Sequence, residues 1–164
     1  MRVLLLIWGL AAARAAGAGD CQPDPDTAIR TLNAVRAEAQ RCGARSWPAV
    51  APLRWHETLA LAAQRHAAEL ASLDRLEHVS LNGATPRARL REAGYAMRIT
   101  GENLAGGAET LAEALDQWVA SAAHCENVMF LDFEHAGLAC ATGSGRLQRY
   151  WVLTLAAPAR TAAR

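Results

Sequence analysis

Three side chains in this sequence have the chemistry to bind or catalyse together: His78, Glu102 and His124. Two imidazoles and a carboxylate can hold a divalent cation such as zinc, with one position left open for water or substrate. The same trio can form an acid–base pair with an oriented histidine, or can tie loops together by hydrogen bonds alone. The spacing is long-range and contains no His-Glu-x-x-His, so on spacing alone metal is the minority reading. Asn103 places an amide beside Glu102, and Ser121 precedes His124 by one helical turn. No activated nucleophile accompanies them. Neither Ser80 nor Ser121 stands in a Gly-x-Ser-x-Gly elbow, and Cys125 is better assigned to a disulfide. The glycines of 101–107 lack the lysine and the strand–loop–helix order of a phosphate loop. No residue is therefore assigned a catalytic role outright; His78, Glu102 and His124 would carry one if the protein is an enzyme.

The elements that must position these groups are readable in order. Asp24-Pro25-Asp26 is a helix start, with Asp24 as N-cap and Pro25 at the first position. The pattern of Ala28, Ile29, Leu32 and Val35 carries that helix to about Arg41, where Cys42-Gly43 would end it. Arg45 to Leu53 reads as a loop, with Trp47 folded back on the core. A second helix spans His56 to Leu73, with His56 exposed at its start. His66 lies on or beside its apolar face, where a lone histidine is more often a hydrogen-bonded core residue than a ligand. The loop from Leu76 to Thr85 contains the Asn82-Gly83 turn signal and carries His78; a short helix follows to Gly94. Tyr95 to Ala105 reads as short extended segments around Gly101. Thr110 and Glu113 form a capping box that opens a helix fraying near Ala122. A hairpin closes the domain: a strand from about Glu134 to Thr142, a turn at Gly143-Ser144-Gly145, and a return strand from Gln148 to Leu155.

Residues 1–18 have the form of a cleavable signal peptide: Arg2, an apolar run from Val3 to Leu10, then small residues ending Ala16-Gly17-Ala18. The run is too short for a membrane span of about 20 residues. All seventeen basic residues are arginine, and losing Arg2 and Arg14 with the leader turns the formal charge of +1 into −1. That balance excludes an electrostatic case for nucleic acid. The four cysteines, Cys21, Cys42, Cys125 and Cys140, lack any Cys-x-x-Cys spacing. In an exported chain they predict two disulfides, with three pairings open.

Taken together, the motifs resemble those of the CAP superfamily: cysteine-rich secretory proteins, venom antigens, plant pathogenesis-related proteins and their secreted bacterial relatives. Leu32-Asn33-Ala34-Val35-Arg36 is similar to the family's opening helix, and Leu53-Arg54-Trp55 with Leu59-Ala60 to the start of its second. His78 matches the first family histidine. Arg89-Leu90 through Ala93-Gly94-Tyr95 resembles the bacterial branch, Gly101-Glu102-Asn103-Leu104 is the GEN[LI] motif, and Trp118, Ser121, His124 and Asn127 resemble its W-x-x-S-x-x-H-x-x-N. Gly137 to Ala139 and Tyr150-Trp151 fit the closing hairpin.

The resemblance implies an α+β fold, a three-layer α-β-α sandwich with a small antiparallel sheet and a central cleft. It places the domain at residues 19–157, with a short disordered tail at 158–164. It maps His78, Glu102 and His124 onto three of the four cleft residues that bind a divalent cation in many members; Ser121 stands where a second glutamate completes the set. Cys42 with Cys125 resembles a pair in bacterial relatives, which leaves Cys21 with Cys140. The expected protein is a secreted or periplasmic monomer without a transmembrane segment. It would bind a cation, a small apolar ligand or an envelope or extracellular partner through His78, Glu102, Asn103, Ser121 and His124. The alternatives are a metal-assisted hydrolase using the same cleft and a disulfide-stapled structural protein. No cofactor is required by this reading.

Overall fold

The computed structural model describes residues 21–160. The expected signal peptide and the last residues of the expected tail lie outside that range. A four-stranded sheet forms the middle layer. Its order is β3 (Arg54–Trp55), β5 (His135–Thr142), β6 (Arg149–Pro158), β4 (Met97–Gly106); β3 runs parallel to β5 and the other pairs are antiparallel. A separate two-stranded ribbon joins β1 (Gln40–Cys42) to β2 (Arg45–Trp47).

Strand alternation sorts the core into two faces. Trp151, Leu153 and Leu155 of β6 pack, with Ala105, Ala136 and Leu138, against α1 (Pro25–Arg36), α4 (Leu111–Ala120) and α5 (Ala122–Met129). Tyr150, Val152 and Ala156 point the other way, onto α2 (Glu57–Leu73) and the contact of α2 with α3 (Pro86–Glu92). Helices thus cover both faces, in the three layers expected. Trp118 and Trp151 are fully buried on the first face, and each donates its indole N–H to a backbone carbonyl, of Leu104 and Ala108 respectively, at 2.9 Å. A buried indole keeps its apolar contribution only if that N–H is paired.

Two disulfides brace the layers. Cys21–Cys140 fastens the N-terminal segment to β5, and Cys42–Cys125 joins the small ribbon to α5. At the far end of α2, Asp74 adopts a left-handed conformation (φ 49°). Its carboxylate accepts from the Arg146 and Leu147 amides and the Tyr150 hydroxyl, pinning the β5–β6 turn to the helix end.

Several boundaries differ from the sequence reading, each for a physical reason. The first helix stops at Arg36, not near Arg41. Arg36 is fully buried, and its guanidinium donates to the carbonyls of Ala51, Val128 and Phe130, which turns the chain inward. Gly43, at φ 61°, therefore serves the tight β1–β2 connection rather than a helix end. The extended segments around Gly101 are one continuous ten-residue strand. The third main helix does not fray; it breaks at Ser121 (φ −96°, ψ 120°), which is both the C-cap of α4 and the N-cap of α5. Pro158 is still in β6, paired with Met97.

Candidate functional site

The site lies along β4, an edge strand of the sheet, where groups from both helical layers meet. Glu102 and Asn103 are consecutive, so they face opposite layers. Glu102 pairs in register with Thr154 and points to the α2–α3 side; Asn103 pairs with Leu153 and points to α5. One dipeptide therefore anchors two layers.

On the first side Glu102 is buried, its side chain 2% exposed. One carboxylate oxygen accepts from His78 Nδ1 at 2.9 Å, and the other from the Arg89 guanidinium of α3. His66 Nε2 lies 4.0 Å from the first oxygen. A carboxylate can only accept, so His78 Nδ1 carries a proton and Nε2 is the nitrogen not engaged by Glu102. Arg89 also donates to the His78 carbonyl, the Ser80 hydroxyl and the Ala84 carbonyl, at 2.9, 3.2 and 3.0 Å. It thus clamps the loop of 76–84 while neutralising Glu102. The His78 side chain stays 51% exposed at the surface of this network.

On the second side Asn103, fully buried, donates to the His124 carbonyl at 2.9 Å and accepts from Asn127 Nδ2 at 3.0 Å. Those bonds fix the first turns of α5 against the strand, and Cys125 fastens the same turn covalently. His124 is half-buried. Burial, and secondarily the charge of His78, holds its pKa below the usual imidazole value. Truncating Asn103 to alanine removes one donor and one acceptor from the interior. Equilibrium denaturation should show a loss of about 1–3 kcal/mol, the cost of orphaned buried polar groups; a change within about 0.5 kcal/mol would remove Asn103 from this role.

Of the five expected site residues, Glu102 and His78 are joined directly and Asn103 holds the backbone of His124. Ser121 sits at the α4–α5 break with no side-chain bond to the cap. Sequence reasoning missed Arg89 as part of the site and read His66 only as a core residue. His66 is indeed a core residue: its Nδ1 lies 3.1 Å from Glu69 and its Nε2 is 2.9 Å from the Glu77 carbonyl. Ser80 Oγ is 3.3 Å from the same Nδ1. This is not a nucleophile relay. Serine and carboxylate both crowd Nδ1 while Nε2 is spent on a carbonyl, whereas a relay needs them on opposite nitrogens.

The donor set of the expected cation site is His78, Glu102 and His124. Among the described residues, no group of three or more His, Cys, Asp or Glu side chains is arranged to hold a metal ion. The His78 and Glu102 side chains of that set are in contact, and each Glu102 oxygen already accepts a hydrogen bond, one of them from a guanidinium.

An oriented histidine on the edge strand of an α-β-α sandwich, with a disulfide pinning the adjoining helix, is the arrangement that defines the class of protein. The chain belongs to the CAP family, described as the cysteine-rich secretory protein family, whose model matches residues 29–155. It is similar to the uncharacterised protein YkwD of Bacillus subtilis (strain 168), with 26% identity over 109 residues, 66% of this chain. The chain spans 40% of that relative's length. Among solved structures it resembles an outer surface protein of Borrelia burgdorferi (TM-score 0.66, 20% identity, 86% of this chain and 100% of that one). It also resembles an extracellular SCP-domain protein of Bacillus anthracis (TM-score 0.56, 22% identity, 65% of this chain and 34% of that one). At these identities the solved structures speak for the fold alone.

Proposed function

We propose that the protein is an exported binding module. Its cleft takes a ligand or partner segment with an apolar part and a hydrogen-bonding head. The observation that carries this reading is the loop of 76–84. It holds His78 fixed and solvent-facing, and it also exposes three large apolar side chains, Leu76, Val79 and Leu81, at 39%, 48% and 70%. A cluster of exposed apolar groups beside an oriented polar one is the surface expected of a recognition site. The outward-facing Nε2 of His78 would meet the ligand's polar end, with His124 near enough to feel the charge of His78. Export is supported by the form of residues 1–18, by the paired cysteines, and by the outer-surface and extracellular relatives. Among the described residues no helix is long and apolar enough to cross a membrane.

Binding of a single-chain amphiphile, such as a long-chain fatty acid, to the purified mature protein tests the reading. His78→Ala and Leu81→Ser should each weaken binding about tenfold, the loss of one hydrogen bond or of one apolar anchor. Leu81→Ser, on an exposed loop, should leave the fold intact, and His78→Ala, which also takes a donor from Glu102, is compared after its stability is measured by denaturation. Binding unchanged in both variants, or absent from the wild type, would refute the proposal.

A further inference from the structure

At the N-terminal end of α2, away from the 76–84 loop, three rings meet: His56, Tyr95 and His135. His56 is the N-cap of α2, and its Nδ1 accepts the Thr58 amide at 3.2 Å. His135 opens β5; its Nδ1 lies 2.7 Å from the Tyr95 hydroxyl and its Nε2 is 3.1 Å from the Arg54 guanidinium of β3. The His56 ring is 4.8 Å from Tyr95 and 5.0 Å from His135, centroid to centroid.

The protons in this cluster can be assigned. Arg54 can only donate, so His135 Nε2 is bare and its Nδ1–H donates to Tyr95. The Thr58 amide can only donate, so His56 Nδ1 is bare. Both imidazoles are neutral in this arrangement, and each lone pair already in use is the one a further proton would take. Protonating His56 removes the cap and sets a cation at the positive end of a helix. Protonating His135 sets a cation against Arg54 and beside His56.

The other charged groups here do little to offset this. Glu134 pairs with Arg54 at 3.6 Å in the open, and Glu57 accepts from the Trp55 indole at 2.9 Å. Tyr95, buried, is pushed up to about 12 and stays neutral. The pKa of His135 is held below the usual imidazole value, first by burial, then by His56 and Arg54, with Glu134 opposing.

We propose that His56 and His135 form an acid-released latch, which fastens the β3–α2 corner to β5 when neutral and frees the first turn of α2 when protonated. The strand pairing at that corner is short, and the packing of Leu59 and Ala60 on Gly137 begins only beyond it. β3 pairs with β5 over two residues, Arg54 with His135 and Trp55 with Ala136. The backbone bonds are Arg54 N–H to Glu134 O and His56 N–H to Ala136 O, each 2.9 Å. The sign follows from linkage. His135, whose folded pKa is lowered, contributes stability that is complete above the unfolded value, about 6.5. That contribution is lost as pH falls through the folded value.

Amide hydrogen exchange on the disulfide-intact mature chain, corrected for intrinsic rates, tests the latch. Protection at Thr58, Leu59 and Ala60 should fall at least tenfold from pH 7 to pH 5 while the amides of α4 hold. His56→Asn keeps a cap that does not titrate, and His135→Gln removes the second charge. Each should shrink the fall, and the double variant should abolish it. Equal wild-type protection at both pH values would overturn the latch, as would a wild-type fall retained in the double variant. Should the double variant not fold, an NMR titration of wild-type His135 decides. A midpoint below about 6.5, with the Thr58 amide moving in step, supports the latch; a higher midpoint refutes it.

Discussion

Replacing Arg89 with methionine is expected to cost about 3–5 kcal/mol of folding stability, the range for removing one partner from a buried ion pair. The Arg89 side chain is 10% exposed and that of Glu102 2%, so the carboxylate left behind could not reach water. The substitution would also strip three further acceptors, the His78 and Ala84 carbonyls and the Ser80 hydroxyl, of their shared donor. Loop and carboxylate should therefore loosen together, and ligand binding should fall in step with stability. Urea denaturation of the oxidised protein measures the first effect. The double variant Arg89→Met/Glu102→Gln should recover part of the loss, because a neutral amide replaces the stranded charge. If Arg89→Met alone lies within about 1 kcal/mol of wild type, well below that range, Arg89 is not the counter-ion that organises the cleft.

The second large effect is expected at Gly137. A Cβ there would fall inside the backbone of α2, against Ala60 N and Leu59 C, with Leu59 Cβ only 2.6 Å away. Overpacking against a movable side chain costs about 1–3 kcal/mol. Here the obstacle is helix backbone, so Gly137→Ala should lie at or above the top of that range, about 3 kcal/mol or more. The helix must shift to make room, and it carries His66 with it, so the Glu102 network is disturbed from a distance. Gly83→Ala is the control. Its Cβ meets nothing, and only the positive φ of 83° opposes it, at about 1–2 kcal/mol. If the two variants proved equally stable by denaturation, the close approach of α2 to β5 would not be a determinant of the fold.

Much of the frame is legible in the sequence because its signals are local. Asp24 caps α1 through the Thr27 amide at 2.9 Å, and Thr110 accepts from Glu113 N, as their spacing implies. The return half of that capping box differs by one residue, since the Glu113 carboxylate takes the Glu109 amide. The family motifs locate His78, Glu102 and His124, and the cysteine pairing implied by the resemblance is the pairing present. What stays hidden depends on partners distant in sequence. Arg36 and Arg89 enter the sequence reading only as members of family motifs, with no contact assigned to either. Nothing near either one announces that its guanidinium is buried on Val128 O or on Glu102. His56 reads as exposed, because histidine is not among the residues whose side chains usually cap helices. It is half-buried, and its ring nitrogen does that work. The break at Ser121 reads as fraying, since neither glycine nor proline marks it.

The two disulfides are nested: the ring closed by Cys42 and Cys125 lies within the ring closed by Cys21 and Cys140. His78, Arg89, Glu102 and His124 all fall inside the inner ring. A protease working on an exported protein cuts exposed loop tips first, and the 76–84 loop is the obvious target. A nick there would separate nothing. Both new ends remain attached through Cys42–Cys125, and the product should migrate as one species until a reductant is added. The loop proposed to bind ligand can therefore be severed while the molecule stays in one piece, so loss of that binding need not coincide with loss of the chain.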